Sequence, residues 1–185
     1  MNNSIKISGK ILSRYNEILS KEALEFIKEI HEKFNNTRLE LLEERKKRQK
    51  AIDNGAKLDF LKDTAKIRES NWKIKNIPKD LLKRQVEITG PPVPKKMFIS
   101  ALNSGADCYM TDFEDSLTPD FDNLMHGQLN LKDAINKKID FKDPKSGKEY
   151  KLNEKTSVLI VRPRGLHLGE KHATINGKRI SGTFF

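Results

Sequence analysis

SVLIVRPRGLHLGEKH, residues 157–172, is the stretch on which the fold class turns. Its apolar run from Val158 to Val161 is short and rich in β-branched side chains, the pattern of a strand buried on both faces. Pro163 cannot donate to a sheet ladder, so the strand is expected to end at about Arg162. An arginine is thereby delivered to the rim of a buried sheet, where open α/β folds and barrels place their chemistry. Taken alone, Arg162 is equally compatible with a surface arginine paired to a carboxylate.

Upstream, Val86-Glu87-Ile88-Thr89 alternates apolar and polar side chains before Gly90-Pro91-Pro92, which predicts a strand. Met97, Phe98, Ala101 and Leu102 make a helical stripe within Lys95 to Asn103, and Gly105 stands where a helix stop belongs. Asp107 to Asp112 then predicts a second buried strand, opening into Phe113-Glu114-Asp115-Ser116. Strand, helix, strand with short links is the pattern of a parallel α/β unit. A further helix is expected from Leu124 to Ile135, a polar hairpin around Asp143–Gly147, and a type I′ hairpin from Ala173 to Ile180 around Asn176-Gly177. Before all of this the chain is helical in pattern. Ser20 can cap a helix bearing Ala23, Phe26, Ile27, Ile30 and Phe34; a second is expected after Asn36-Thr37, ending at the Asp53-Asn54-Gly55 turn. Asp59 to Arg68 and a segment opened by Pro78 through Leu81 and Leu82 predict short helices, with Trp72 as an anchor for the helical region. Three parallel strands do not close a barrel, and the residues alone do not separate a barrel from an open sheet.

The chain has 185 residues, 34% of them charged, and a net charge of +10. That balance admits a polyanionic partner, and EERKKRQK at 43–50 could be a nucleic-acid patch. Lysines and glutamates are interspersed, however, and mixed signs at helical spacing favour an ordinary solvated face, so no nucleic-acid partner is expected. The single cysteine, Cys108, excludes an intramolecular disulfide framework and suits a reducing compartment. No run approaches the ~18 apolar residues needed to cross a bilayer. MNNSIKISGK lacks the apolar core of a secretory signal, and Gly182-Thr183-Phe184-Phe185 is not a peroxisomal address. The expectation is a soluble intracellular protein with no membrane partner.

Asp112, Glu114 and Asp115 cluster at the exit of the second strand. Continued extension would put Asp112 and Glu114 on one face and point Asp115 away. Such hard oxygen donors suit the shell of Mg²⁺; the alternative is helix capping by Asp115 or Ser116 with pairing to lysines. His167, Glu170 and His172 suggest zinc, yet their spacing matches neither a helical site nor a finger. Cys108 lies within an apolar strand, where thiols are usually inert. Neither a G-x-x-x-x-G-K-[ST] loop nor a dinucleotide fingerprint occurs.

RPRGLHLGEKH at 162–172, YMTDFEDSLTP at 109–119 and GQLNLKDAI at 127–135 resemble malate synthase, the A-type branch. IDNG at 52–55 and WKIKNIPKDLLKRQVEITGP at 72–91 follow the family's pattern in the same order, so the resemblance covers nearly the whole chain. It implies an α/β fold: an N-terminal helical clasp over 1–80, then the first βα units of an incomplete TIM-type barrel over 81–185. Malate synthases condense acetyl-CoA with glyoxylate, an Mg²⁺-dependent aldol-type addition followed by thioester hydrolysis to malate and CoA, in the glyoxylate cycle. That chemistry needs a base for a methyl proton and a fixed positive charge where the enolate oxygen develops. By resemblance Arg162 supplies the charge and binds glyoxylate, a task suited to a rigid, always-protonated donor fork. Arg164, past the proline, is expected to be structural. The direct Mg²⁺ ligands come from later sequence, with Glu114 and Asp115 in the outer shell. Leu166 stands where many members have an aromatic residue and Gly169 where they have proline, which should loosen the loop. The base, both metal ligands and most of the CoA site are expected beyond Phe185. The chain is therefore expected to be an N-terminal portion, inactive alone, that needs a missing C-terminal half; the alternative is a non-catalytic remnant acting as an interaction module on a paralogue. The compartment would be cytoplasmic, or peroxisomal (glyoxysomal) in a eukaryote.

Overall fold

The computed structural model describes residues 4–185; the first three residues of MNNSIKISGK, and with them the start of the 1–80 segment, lie outside the described residues. In order the elements are β1 (Ile5–Ile7), α1 (Lys21–Asp53), α2 (Ala65–Glu69), β2 (Glu87–Gly90), α3 (Lys95–Leu102), β3 (Cys108–Asp112), α4 (Phe121–Ile135), β4 (Asp140–Lys142), β5 (Glu149–Lys151), β6 (Val158–Arg162), β7 (Gly169–Ile175) and β8 (Lys178–Ser181). The result is a mixed α/β structure in which, among the described residues, no sheet closes into a barrel.

The parallel unit forms where the sequence predicts it. β2, β3 and β6 make one sheet, with β3 in the centre and both pairings parallel. Tyr109 of β3 packs on Phe98 of α3, ring centroids 5.7 Å apart. Phe113, two pleats on, lies against Gly127 of α4, so both helices cover the face carrying Tyr109 and Phe113. The shared core includes Ile99 and Leu102 of α3, Leu124 and Met125 of α4, and Tyr15, which precedes α1. Strand alternation puts Cys108, Met110 and Asp112 on the opposite face. One expectation fails: β6 is not buried on both faces. Among the described residues it pairs with β3 alone, and Val161 on it is 45% exposed.

β7 and β8 form a hairpin whose turn residues Asn176 and Gly177 have φ of 50° and 75°, the left-handed pair a type I′ turn requires. The hairpin begins at Gly169, earlier than the expected Ala173, and β1 adds an antiparallel third strand along β7. Its apolar side chains Ala173, Ile175 and Ile180 pack with Ile27 of α1.

The N-terminal region departs further from expectation. Ser20 caps α1, accepting from the Ala23 amide at 3.2 Å. The helix then runs unbroken through Asn36-Thr37, so the two predicted helices are one. Asn35 accepts from Arg38 Nε at 2.9 Å instead of competing for the backbone, and ion pairs Lys46–Glu43 and Lys47–Glu44 follow. Beyond the Gly55 stop, the helix expected over 59–68 shrinks to a 3₁₀ turn and the five-residue α2. Pro78 precedes only a 3₁₀ turn at Lys79–Leu81. Trp72 is 62% exposed and holds nothing down; its indole never enters the core of Tyr15, Phe98 and Tyr109.

Candidate active site

Arg162 and Asp112 are direct partners across β6 and β3, so parallel register brings them to the same level at the C-terminal ends of their strands. Asp112 is 1% exposed, and its charge is used locally. Oδ1 accepts the amides of Glu114 (2.9 Å) and Asp115 (3.2 Å), while Oδ2 accepts the amide and hydroxyl of Ser116 at 3.1 and 2.9 Å. No helix starts at this turn, so neither Asp115 nor Ser116 is a helix cap: the next helix, α4, is capped by Asp120, which accepts the Asn123 amide at 2.8 Å. This tight turn also ends the extension on which the expected facing of the acids depended. Asp115 does not point away: its Oδ2 lies 2.7 Å from Arg162 Nη1. Arg162 Nη2 pairs with Glu114, and Nη1 lies 3.4 Å from Asp112 Oδ2.

Three carboxylates therefore surround one guanidinium, with Arg162 still 36% exposed at its side chain. Burial pushes the Asp112 carboxyl up, but the amide and hydroxyl donors and the Arg162 charge outweigh it and hold it below the ordinary aspartate value. The hydrogen bond to Asp115 raises Arg162 above the usual arginine value, so the guanidinium is permanently charged. The sequence brings Arg162, Asp112, Glu114 and Asp115 together as a set.

Arg164, expected to be structural, sits in a buried ion pair. At 7% side-chain exposure, it donates from Nη1 to Glu170 Oε2 at 2.6 Å, and its carbonyl accepts from Thr183 Oγ1 at 2.5 Å. Glu170 Oε1 accepts the His172 amide at 2.6 Å and lies 2.8 Å from His172 Nδ1. Burial works to raise the Glu170 carboxyl, and the His172 amide and Arg164 overcome it to leave the carboxyl below its ordinary value. Both Glu170 oxygens are thus occupied. His167 is not in this group; its ring sits against Gly165, and it borders the outer half of α1 near Leu42 and Glu43. Among the described residues no group of three or more His, Cys, Asp or Glu side chains stands ready to hold a metal. Cys108 is fully buried in β3.

The loop after β6 is held at close quarters. A Cβ on Gly165 would come 2.6 Å from the His167 ring and 2.9 Å from Glu114 Oε1, so any larger residue there would have to push those side chains aside. Arg38 reaches across from α1 to donate to the Leu166 carbonyl at 2.8 Å. Gly169, expected to loosen the loop, pairs with Ser181 in β7–β8, and the Gly182 amide donates to the Leu168 carbonyl at 2.8 Å. Sequence reasoning missed Glu170 as the counter-ion of Arg164. The available signal was strand alternation: Glu170 and His172 share a face while Lys171 takes the other. Arg38 carries no such signal, because its partner is a carbonyl 128 residues away.

Comparison with known proteins bears on this geometry. Residues 3–66 match the family described as "Malate synthase, N-terminal domain". The chain is 50% identical to the malate synthase of Myxococcus xanthus (strain DK1622) over 179 residues, 97% of this chain and 33% of that protein. It is 48% identical to malate synthase A of Escherichia coli (strain K12) over 91% of this chain and 31% of that protein. The glyoxysomal malate synthase of Zea mays is 40% identical over 96% of this chain and 32% of its own length. The chain thus spans about a third of the length of the curated relatives it matches. The similarity to malate synthases thus extends over nearly the whole of this chain, and residues 3–66 match the family's N-terminal domain.

Proposed function

We propose that this chain is the N-terminal portion of a malate synthase and that, together with the remainder of the enzyme, it condenses acetyl-CoA with glyoxylate to give malate and CoA. The observation that carries this reading is Arg162, fixed at the C-terminal end of a parallel strand by Asp112, Glu114 and Asp115. The β2–α3–β3–α4–β6 succession supports reading the parallel sheet as the first strands of a TIM-type barrel, whose chemistry sits at that end.

Arg162 would bind the glyoxylate carboxylate and offer N–H donors where the enolate oxygen of acetyl-CoA develops charge. The surrounding carboxylates fix the direction of the fork before substrate arrives, so little reorganisation is left for the reaction. The donor set fits an outer-shell role beside a divalent cation: three acids against one guanidinium leave the rim negative. When bound, Mg²⁺ would polarise the glyoxylate aldehyde, with Glu114 and Asp115 reaching it through water. The base and the direct metal ligands would come from the remainder of the enzyme.

The test is a fusion of this chain to the remaining two-thirds of the Myxococcus xanthus relative, assayed for glyoxylate-dependent release of CoA thiol. The fusion should be active and the isolated chain inactive. Arg162→Lys in the fusion should lower kcat by about 10²–10³-fold with an unchanged circular dichroism spectrum, since lysine keeps charge and loses the planar fork. Arg164→Lys should change kcat less than about tenfold and act on stability instead. Wild-type kcat in the Arg162→Lys fusion would remove Arg162 from the chemistry.

A further inference from the structure

The turn that joins β6 to β7 is fastened through its backbone carbonyls. Gly165 accepts from the Leu168 amide at 3.0 Å, Leu168 from the Gly182 amide at 2.8 Å, and Arg164 from Thr183 Oγ1 at 2.5 Å. These ties come from the turn itself or from the residues just after β8. A further tie comes from α1, where Arg38 Nη1 donates to the Leu166 carbonyl at 2.8 Å. The Leu166 side chain is 52% exposed, so its own packing does little to hold the turn at that point. Arg38 is itself aimed: Asn35, one helical turn earlier, accepts from its Nε at 2.9 Å. One edge of the planar fork is thereby fixed, and the other is presented to the turn. The helix beneath it is seated by Ile27 on Ala173, Ile175 and Ile180 of β7 and β8.

The turn in its course backs onto Glu114. A Cβ built on Gly165 would lie 2.9 Å from Glu114 Oε1, while the other oxygen, Oε2, pairs with Arg162 Nη2. Glu114 is thus held between the turn and the guanidinium. The other partners of Arg162 hold it less firmly. Asp112 Oδ2 stands 3.4 Å off and is already engaged by Ser116, and the Asp115 side chain is 72% exposed. We infer that Arg38 is a positioning residue for Arg162. By fixing the Leu166 carbonyl it sets the turn, the turn backs Glu114, and Glu114 sets the direction of the guanidinium. The consequence for catalysis rests on the malate synthase reading above. Lysine at position 38 would keep the charge but has no fork with which to hold Asn35 and Leu166 together.

The first readout needs no catalysis. In the 185-residue chain, NMR follows the exchange of the Arg162 guanidinium protons with water, and the melting temperature is measured alongside. Arg38→Ala should speed that exchange by about three- to thirtyfold. The melting temperature should shift by no more than about 4 °C, as for one exposed hydrogen bond. Asn35→Ala should act in the same direction and less strongly, and Arg38→Lys should fall between Arg38→Ala and wild type. Lys47→Ala, which removes only a surface pair with Glu44 farther along α1, should leave the exchange unchanged. The second readout is kinetic, in the fusion to the Myxococcus xanthus remainder. There Arg38→Ala should lower kcat by about three- to thirtyfold and raise KM for glyoxylate, with KM for acetyl-CoA unchanged. A purely structural loss would instead remove folded enzyme, lowering apparent kcat and moving neither KM. Unchanged Arg162 exchange in Arg38→Ala overturns the inference, as does equally faster exchange in Lys47→Ala. An active fusion in which Arg38→Ala moves kcat alone also overturns it. An inactive wild-type fusion would discard the catalytic reading only, since the guanidinium exchange still decides whether Arg38 positions Arg162.

Discussion

Replacing Glu170 with alanine should be strongly destabilising. Glu170 is 1% exposed and receives three polar contacts: Arg164 Nη1 at 2.6 Å, the His172 amide at 2.6 Å and His172 Nδ1 at 2.8 Å. Truncation leaves the buried Arg164 guanidinium without its counter-ion and the His172 amide without its acceptor. Removing one partner of a buried pair costs about 3–5 kcal/mol, because the desolvated charge that remains has nothing to offset it. At about 2–4 °C per kcal/mol for a chain of this size, the melting temperature should fall by about 6–20 °C. Urea unfolding followed by circular dichroism gives the free energy directly, and an unchanged m-value would show that both end states are comparable. The pair is also expected to be worth little against an apolar replacement, so Arg164→Met combined with Glu170→Leu should be more stable than Glu170→Ala alone. A loss below about 1 kcal/mol for Glu170→Ala would mean the pair behaves as a solvated one, and the account of the buried loop would fail.

Acid should destabilise the fold through the same carboxylate. Glu170 titrates below its ordinary 4.5 in the folded chain, so its contribution is complete above that value and is lost as pH falls through the lower folded value. Stability measured against pH should therefore drop below about pH 4.5 in the wild type and drop less steeply in Glu170→Gln. Ser20→Ala should cost about 1 kcal/mol at the start of α1. Faster hydrogen exchange at the Ala23 amide, which now donates to Ser20 Oγ, is the local check.

What the sequence makes legible follows the range of the forces involved. α3, β3, α4 and β6 are encoded by periodicity within each element, and the Asn176-Gly177 turn by its own backbone preference, so all five are found where expected. β1 is invisible by that route. Three residues, Ile5–Ile7, carry no period, and they form a strand only because β7, more than 160 positions on, offers a free edge. The same distance hides the Arg38 contact to Leu166. Trp72 fails for a different reason: an indole invites an anchoring assignment, yet here it stays 62% exposed. At the site, residue identities were legible and their arrangement was not. Period-two extension assigned Asp115 to the wrong side, because it took no account of Asp112 gathering three successive amides and ending the strand.

The two arginines of RPRG show how one proline divides a site from its support. Arg162 closes the β6 ladder, in register with Asp112, with its guanidinium at the open rim. Pro163 has no N–H to continue pairing, so the chain must leave the sheet there, and Arg164 is carried under β7 to Glu170. The stretch between is then tied from three directions: the acidic turn after β3 grips Arg162, Glu170 grips Arg164, and Arg38 of α1 grips the Leu166 carbonyl. Gly165 lets this knot close against Glu114. The position of Arg162 therefore depends on elements from both ends of the chain. A perturbation of α1 at Arg38, far from Arg162 in sequence, acts on the same loop as one at Glu170, whereas a change at the exposed Asp115 removes only a rim contact.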